Sequence, residues 1–334
     1  MADQPVVKTE NLTKKYGEFV ALDSLSISLD RGQILGFIGP NGAGKTTMIK
    51  ILVGLARATA GAAWVAGHDC QTNSKKIKRL VGYMPDTFGS YDNMRVREYL
   101  DFFGAAFKIP RRERSSRIDS AMDTSNCSYM RDLYVETLSH GMKQRVGIAR
   151  TLLHDPEVLI LDEPANGLDP KARIEMRELL LRLGEMGKTL IVTSHILPEL
   201  SRICDVVAMI TKGKLRAFGT LDQIMREITT RRAFEIQLAS SAQIEATDTI
   251  VREFVEADAR TTVTSSNAES MVRFSTEFDD TKLADLLTRL IAQNIKVAQY
   301  REVVQDLEDA FLSVTAADEQ PAPQPAESAE TVSP

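Results

Sequence analysis

Hydrophobic positions in the first two thirds of the chain follow two alternating patterns. Short, nearly continuous apolar runs at 34–39, 158–162 and 190–194 predict strands that are covered on both faces. Amphipathic helical segments alternate with such strands, and residues 96–149 are predicted to be a helical insert that carries many charges. Residues 1–229 are therefore predicted to form an α/β domain around a mainly parallel sheet.

The pattern changes after residue 229, where shorter amphipathic segments follow one another. Phe234, Ile236 and Leu238 alternate with other residues, as in a half-buried strand, and Leu307 and Phe311 mark a predicted last helix. Between them, one predicted helical face is made of Leu283, Leu286, Leu287, Leu290 and Ile291. These segments predict a small α+β domain over 230–314. Residues 315–334 hold prolines and acidic residues but no basic residue, which predicts a disordered acidic tail rich in Pro and Ala.

The composition is that of an ordinary globular protein, with 43% apolar and 26% charged residues. Lys and Arg total 41 and Asp and Glu total 46, so the net charge is −5, and this mild acidity predicts no nucleic-acid partner. The sequence has no apolar run near the ~20 residues needed to span a bilayer, and its polar start does not resemble a signal peptide. We therefore expect a cytoplasmic protein that reaches a membrane only through a partner.

The segment after the first predicted strand has the phosphate-binding pattern GxxxxGK[ST], and a helix is predicted to follow it. Its residues are Gly39, Pro40, Asn41, Gly42, Ala43, Gly44, Lys45, Thr46 and Thr47. The glycines let successive backbone N–H groups turn toward phosphate oxygens, and the N-terminus of the helix adds the positive end of its dipole. Lys45 is expected to reach the β- and γ-phosphates of a bound nucleotide, and the Thr46 hydroxyl is expected to ligate Mg²⁺.

Two acidic residues stand at the end of the strand predicted at 158–162. Asp162 is placed to hold Mg²⁺ directly or through water. Glu163 is a candidate general base for the attacking water. The same pair of acids, without a phosphate loop in the chain, would be interpreted as the N-cap of the next helix.

Further motifs, found in order along residues 5–229, resemble those of the ABC-transporter ATPases. The segment LSHGMKQR resembles the signature of that family, and the resemblance implies that Ser139 and Gly141 meet the γ-phosphate held by the opposite subunit. Gly167-Leu168-Asp169 resembles the D-loop, which makes Asp169 a candidate nucleotide-binding residue. His195 resembles the histidine that orients the γ-phosphate and the attacking water. Tyr16 lies where the family stacks an aromatic ring on adenine.

The resemblance implies a P-loop NTPase fold, an ABC-ATPase core with a helical insert, that hydrolyses ATP with Mg²⁺. It also implies a second ATP-binding subunit in a homodimer and a separate multi-spanning membrane permease, which would hold the chain peripherally on the inner face of the cell membrane. LEDAFL at 307–312 resembles the end of ATPases that serve ABC-2-type exporters, so export is the expected direction. A non-transport ABC ATPase and a regulatory nucleotide-binding module with little turnover are the alternatives.

Two parts of the chain depart from the family pattern. Asp86 stands where the family usually carries a glutamine that senses Mg²⁺ and water, and it is a candidate catalytic and metal-binding residue because a carboxylate there can still face the metal. His140 lies in the signature where glycine is commonest, and we expect a solvated histidine. Just beyond Asp86, the apolar Phe88, Tyr91 and Met94 in the polar stretch 87–97 predict a docking patch for the permease.

Overall fold

The computed structural model describes residues 5–87, 89, 93–195, 200, 202–228, 232–255 and 263–303. Phe88 and Tyr91 of the predicted docking patch, the predicted last helix around Leu307 and the tail 315–334 lie outside the described residues. The chain divides into two compact units between Leu221 and Asp222. The domain bounds expected from the sequence, 1–229, 230–314 and 315–334, stay a prediction.

The strands described in the first unit form two sheets. They are β1 (Val7–Tyr16), β2 (Phe19–Leu29), β3 (Ile34–Ile38), β4 (Ala60–Val65), β5 (His68–Asp69), β6 (Val81–Met84), β7 (Val158–Leu161), β8 (Thr189–Ser194), β9 (Val206–Thr211) and β10 (Lys214–Gly219). The central sheet has the order β10-β9-β3-β8-β7-β6 and is parallel except at its edge strand β10. All residues of β3, β7 and β8 are buried, so the predicted apolar runs are the middle of this sheet.

The second sheet, β2-β1-β4-β5, is antiparallel and was not predicted from the sequence. Strands β1 and β2 form a long hairpin that turns at Gly17, whose φ of 58° lies in the left-handed region. One apolar cluster joins both sheets to the helix that follows β3, and it includes Leu25 of β2, Phe37 of β3 and Ile49 of the helix. Because this cluster holds the hairpin against the helix, it fixes the loop that lies between β3 and the helix.

Six helices of the first unit complete its fold within the described residues. They are α1 (Lys45–Leu52), α2 (Ser74–Leu80), α3 (Val96–Ala106), α4 (Arg111–Thr124), α5 (His140–Leu152) and α6 (Pro170–Glu185). Helices α3, α4 and α5 share an apolar core of their own, which includes Tyr99, Met122 and Val146. The charged segment between β6 and β7 is therefore a packed helical insert, as predicted.

The second unit contains α7 (Leu221–Ile228) except its first residue, β11 (Arg232–Leu238), α8 (Ile244–Val255), β12 (Val263–Ser266), β13 (Met271–Thr276), α9 (Asp280–Ala292) and β14 (Val297–Val303). Its strands form an antiparallel sheet in the order β12-β13-β11-β14, so β11 to β14 follow the βαββαβ path of the ferredoxin-like fold. Phe234, Ile236 and Leu286 lie in its core, as their spacing predicted. Ile291 is 60% exposed, so the sequence placed it wrongly on the buried face of α9.

A buried carboxylate lies in the sheet of the second unit. Glu235 of β11 is 3% exposed and is paired with a guanidinium on each neighbouring strand. Its Oε1 accepts a hydrogen bond from Nε of Arg273 at 2.6 Å, and its Oε2 accepts one from Nη2 of Arg301 at 2.6 Å. Burial raises the pKa of Glu235, but these ion pairs outweigh burial and hold the pKa below its ordinary value of 4.5.

Candidate nucleotide-binding site

The phosphate-binding loop lies between β3 and α1, and its shape requires glycine at two positions. Gly44, just before α1, has a φ of 111°, and a Cβ there would come within 2.6 Å of the Ala21 carbonyl oxygen. A Cβ on Gly39 would come within 2.4 Å of the Ile210 carbonyl oxygen. Neither backbone oxygen has room to yield, so the loop packs directly on the two sheets and its position is set by them.

Four neighbouring strands of the central sheet, β3, β8, β7 and β6, end at one edge, where a cavity of about 390 Å³ lies. Most of the predicted site residues line this cavity: 40–47, Asp86, Asp162, Glu163 and His195. Three residues that the sequence analysis did not select also line it: Phe19, Ala21 and Asn166. The parallel arrangement explains the convergence, because the carboxyl ends of parallel strands meet at the same edge of a sheet.

The side chain of Glu163 lies between those of His195 and Lys45 in this cavity. Its Oε2 is 2.6 Å from Nδ1 of His195, and its Oε1 is 3.4 Å from Nζ of Lys45. The side chain of Glu163 is 11% exposed and that of His195 is 43% exposed, so the pair opens toward solvent on the histidine side. Lys45 also donates from Nζ to the Gly39 carbonyl at 2.6 Å, which holds its ammonium group at the loop. A carboxylate, an imidazole and an ammonium group therefore meet within one cavity.

Asp162 is only 4% exposed, and both of its oxygens have hydroxyl partners. Thr193 donates to its Oδ1 at 2.7 Å, and Oγ1 of Thr46 lies 3.5 Å from its Oδ2. Burial raises the pKa of Asp162; the Thr193 hydrogen bond lowers it, and the nearby carboxylates of Glu163 and Asp86 raise it again. A hydroxyl and a crowded carboxylate oxygen side by side fit Mg²⁺, which prefers oxygen ligands and would offset the accumulated negative charge.

Asp86 follows β6, the neighbour of β7 on the side away from β8, and it lines the same cavity. Its side chain is exposed, and its charge acts on the buried groups around it. Burial, with the charges of Asp162 and Asp86, raises the pKa of Tyr83 to about 12. The departure from the usual glutamine therefore adds a negative charge at the cavity, and its role in metal binding stays a prediction.

The signature segment does not line the cavity of its own chain. Ser139 is the N-cap of α5 and its side chain accepts a hydrogen bond from the backbone N–H of Met142. Gly141 lies in the first turn of the same helix, and Asp169 is the N-cap of α6, where it accepts a hydrogen bond from the N–H of Ala172 at 2.9 Å. Both helix N-termini hold conventional caps. Their exposed groups are available to another molecule.

Comparison with known proteins identifies the family. The sequence profile described as "ABC transporter" matches residues 22–166. The bacitracin transport ATP-binding protein of Bacillus licheniformis is 40% identical over 235 residues, which are 70% of this chain and 75% of that protein. The chain belongs to the family of ABC transporter ATP-binding proteins.

Other relatives and one solved structure agree with this placement. The linearmycin resistance ATP-binding protein of Bacillus subtilis is 30% identical over 93% of this chain and 98% of that protein. An uncharacterized ABC transporter ATP-binding protein of Synechocystis is 38% identical over 229 residues, and this chain spans only 64% of its length. A solved ATP-binding subunit of an ABC transporter superposes with a TM-score of 0.61 at 29% identity, covering 67% of this chain and 93% of that one.

Among the described residues, the aromatic side chain that lines the cavity of this ABC cassette is Phe19. Tyr16, the ring expected from the sequence to stack on adenine, does not line the cavity and has Nζ of Lys14 4.8 Å from its centroid. The two rings belong to one hairpin, since Tyr16 of β1 pairs with Phe19 of β2, and both are exposed. The aromatic residue three positions after Tyr16 was the available signal, but the sequence does not show which ring faces the cavity.

His140 of the signature makes a contact that the sequence analysis did not predict. Its Nε2 lies 2.9 Å from the carbonyl oxygen of Asn166, so this nitrogen carries the proton and donates it. Asn166 lines the nucleotide cavity, and the neighbouring Gly167 has a φ of 68° with the imidazole 3.6 Å from where its Cβ would stand. The expectation of a solvated side chain was therefore incomplete, because the exposed ring also packs on the D-loop.

None of the helices in the described part of the chain has the length and apolar content that crossing a bilayer requires.

Proposed function

We propose that this chain binds ATP with Mg²⁺, hydrolyses it to ADP and phosphate, and drives transport through a separate membrane permease. The observation that carries the proposal is the placement of Glu163 within 2.6 Å of His195 and 3.4 Å of Lys45, beside the phosphate loop and Asp162. Family membership supports ATP as the nucleotide. The names of relatives that act in bacitracin transport, Nod factor export and linearmycin resistance support export as the direction.

The residues of the cavity divide the work of phosphoryl transfer. Loop amides and Lys45 would bind the β- and γ-phosphates, and Thr46 and Asp162 would hold Mg²⁺, which neutralises charge on the phosphate oxygens when bound. Glu163 would accept a proton from the attacking water as the new P–O bond forms and the bond to ADP breaks. His195, through its contact with Glu163, would orient that water and the γ-phosphate. Positioning and electrostatic stabilisation supply most of the catalysis in this reaction class.

A second ATP-binding subunit would complete each site. Ser139 and Gly141 stand at the N-terminus of a 13-residue helix and do not line their own chain's cavity. A helix N-terminus and a hydroxyl that can still donate its proton suit an anionic oxygen, so we propose that they bind the γ-phosphate held by the other subunit of a homodimer. One phosphate loop and one signature per chain fit this arrangement.

An apolar cavity in the first unit is the proposed contact for the permease. It has a volume of about 380 Å³ and is lined where the helical insert meets the central sheet, by residues that include Val53, Tyr83, Phe103 and Phe107. His154 stacks on Phe107 with ring centroids 4.2 Å apart and closes one wall. Exposed apolar surface of this kind suits docking of a partner segment. The chain would then lie peripherally on the inner face of the membrane.

ATP hydrolysis is tested by phosphate release from the purified chain, with Lys45→Ala and Lys50→Ala as a matched pair on one helix. Lys45 reaches the phosphate loop, whereas Lys50 is exposed near the end of α1. Turnover should disappear in Lys45→Ala and persist in Lys50→Ala. A wild-type chain that binds ATP without turnover would support a regulatory nucleotide-binding module. This module is the second candidate function, and Asp86 and the altered signature are the features that favour it.

Transport is tested by asking whether a multi-spanning membrane protein co-purifies with the tagged chain from solubilised membranes of its source cells. Phe107→Asp should lose the membrane protein and keep basal ATP turnover, because Phe107 lines the apolar cavity and not the nucleotide cavity. Tyr129→Asp is the control, since Tyr129 is an aromatic residue of the insert that is 66% exposed and lies outside both cavities. An active wild-type chain that retains no membrane protein would favour a non-transport ABC ATPase.

A further inference from the structure

One buried hydroxyl connects Asp162 and Glu163, two of the acidic residues that line the nucleotide cavity. Thr193 lies in β8, has no exposed surface, and stands two residues before His195. Its Oγ1 accepts a hydrogen bond from the backbone N–H of Glu163 at 2.9 Å and donates one to Oδ1 of Asp162 at 2.7 Å. Because the hydroxyl has a single proton, these two bonds fix its direction: it can donate only to the carboxylate and accept only from the amide.

The hydrogen bond between Thr193 and the N–H of Glu163 is made at a residue with an unusual backbone conformation. Glu163 has a φ of 52°, in the left-handed region that residues other than glycine rarely adopt. The Thr193 hydroxyl holds the N–H of this residue in that conformation. From this backbone the Glu163 side chain extends to His195 at 2.6 Å and Lys45 at 3.4 Å. Without the hydroxyl, the peptide before Glu163 loses its partner and the carboxylate loses its fixed direction.

The bond to Asp162 acts on the proposed metal ligand. With Oδ1 held by Thr193, Oδ2 of Asp162 is turned toward the Thr46 hydroxyl, 3.5 Å away. Strand β8 lies between β3 and β7, and Thr193 is in register with Phe37 of β3, two residues before Gly39 of the phosphate loop. The hydroxyl is therefore placed at the junction of the strand that leads to the phosphate loop and the strand that ends in the two acids.

We infer that Thr193 is a positioning residue for ATP hydrolysis, whose one hydroxyl sets both the metal-binding oxygen of Asp162 and the direction of the base Glu163. The inference rests on the proposed ATPase function and adds to it a residue with no contact to nucleotide, since Thr193 does not line the cavity. Partners that orient metal ligands typically change metal affinity or activity about ten- to a hundredfold when they are removed. The predicted effect has that size.

The test compares Thr193→Val, which removes the hydroxyl and keeps the shape, with Thr193→Ser, which keeps the hydroxyl. Thr189→Val is the matched control: Thr189 lies in the same strand, has no exposed surface, and its hydroxyl also accepts a backbone hydrogen bond, from Gly32 at 2.9 Å, but at the far end of β8. Two quantities are measured on the full chain: steady-state ATP turnover, and the affinity for a fluorescent ATP analogue with and without Mg²⁺.

Thr193→Val should lower kcat about ten- to a hundredfold and reduce the gain in nucleotide affinity that Mg²⁺ provides by about tenfold, with the Mg²⁺-free affinity unchanged. Thr193→Ser and Thr189→Val should match the wild type in both quantities. A role in folding alone would lower Tm and leave the Mg²⁺ dependence as it is, so that result overturns the inference. So would equal behaviour of Thr193→Val and Thr189→Val.

The same measurements distinguish failure of the proposed ATPase function from failure of the inference about Thr193. A wild-type chain without turnover would refute the proposed ATPase function, whereas the Mg²⁺-dependent binding of the same variants still decides whether Thr193 orients Asp162. If Thr193→Val does not fold, Thr193→Cys takes its place, because a thiol of similar size is a weak donor and acceptor. Wild-type Mg²⁺ dependence and kcat in Thr193→Cys would then contradict the inference.

Discussion

Replacing Glu163 with glutamine separates binding of ATP from its hydrolysis. The Glu163 side chain is 11% exposed and lies between Lys45 at 3.4 Å and His195 at 2.6 Å. Glutamine has nearly the same size, and the backbone bond from residue 163 to Thr193 does not depend on the side chain. The substitution therefore removes the negative charge and the ability to accept a proton, while the loop, Thr46 and Asp162 keep their positions.

The expected loss is large in rate and small in affinity. Removing a general base typically costs ~10²–10⁴ in rate, which corresponds to about 3–5 kcal/mol in activation free energy. Binding should be maintained or improved, because the carboxylate beside the triphosphate is gone and Lys45 no longer shares its ammonium group with it. Glu157→Gln is the control: Glu157 precedes β7 at its other end, pairs with Arg31 on the surface, and should leave turnover unchanged.

The same variant tests the composite site. If two chains close on two unhydrolysed ATP molecules, ATP binds the closed pair better than the open chains and shifts the population toward a dimer. Glu163→Gln should therefore elute as a dimer on size-exclusion chromatography with ATP and as a monomer without it. Adding Ser139→Arg should abolish the dimer by blocking the facing helix N-terminus. A monomeric Glu163→Gln at saturating ATP would refute the composite site, and near-normal turnover would refute Glu163 as the base.

Three further predictions concern other parts of the chain. Phe19→Ala should weaken binding of a fluorescent ATP analogue about two- to tenfold, and Tyr16→Ala should weaken it less, because only Phe19 lines the cavity; the opposite order would assign the adenine contact to Tyr16. Asp86→Gln removes a negative charge from the cavity and should lower KM for Mg·ATP about two- to fivefold in steady-state assays; a higher KM would mean that Asp86 binds the metal. Glu235→Gln should lower the stability of the second unit by about 1–3 kcal/mol at pH 7. Because ion pairs hold the pKa of Glu235 below 4.5, the wild-type advantage is present above pH 4.5 and is lost as the pH falls through the folded-state pKa; denaturant melts over a series of falling pH values should show the difference shrinking, and a difference that grows as the pH falls would contradict this account.

Local sequence patterns determined the parts of the protein whose geometry is local. The glycines and Lys45 of the phosphate loop predicted its place between a buried strand and a helix, because the backbone path of such a loop is set by a few neighbouring residues. Continuous apolar runs predicted the buried strands, since a strand covered on both faces has no polar side. The edge at which parallel strands end then brought Asp86, Asp162, Glu163 and His195 into one cavity, as their motifs required.

Only the tertiary structure decided features that depend on register and on contacts between distant segments. Packing of the β1–β2 hairpin beside the phosphate loop decides that Phe19, and not Tyr16, lines the cavity, because the two rings are direct cross-strand partners and their identities do not distinguish them. The bonds from Thr193 to Asp162 and Glu163 span 31 and 30 residues and exist only because β8 lies beside β7. A threonine inside an apolar run looks like any buried strand residue in the sequence. Its contacts with Asp162 and Glu163 arise only from the neighbouring strand β7, which these two residues follow.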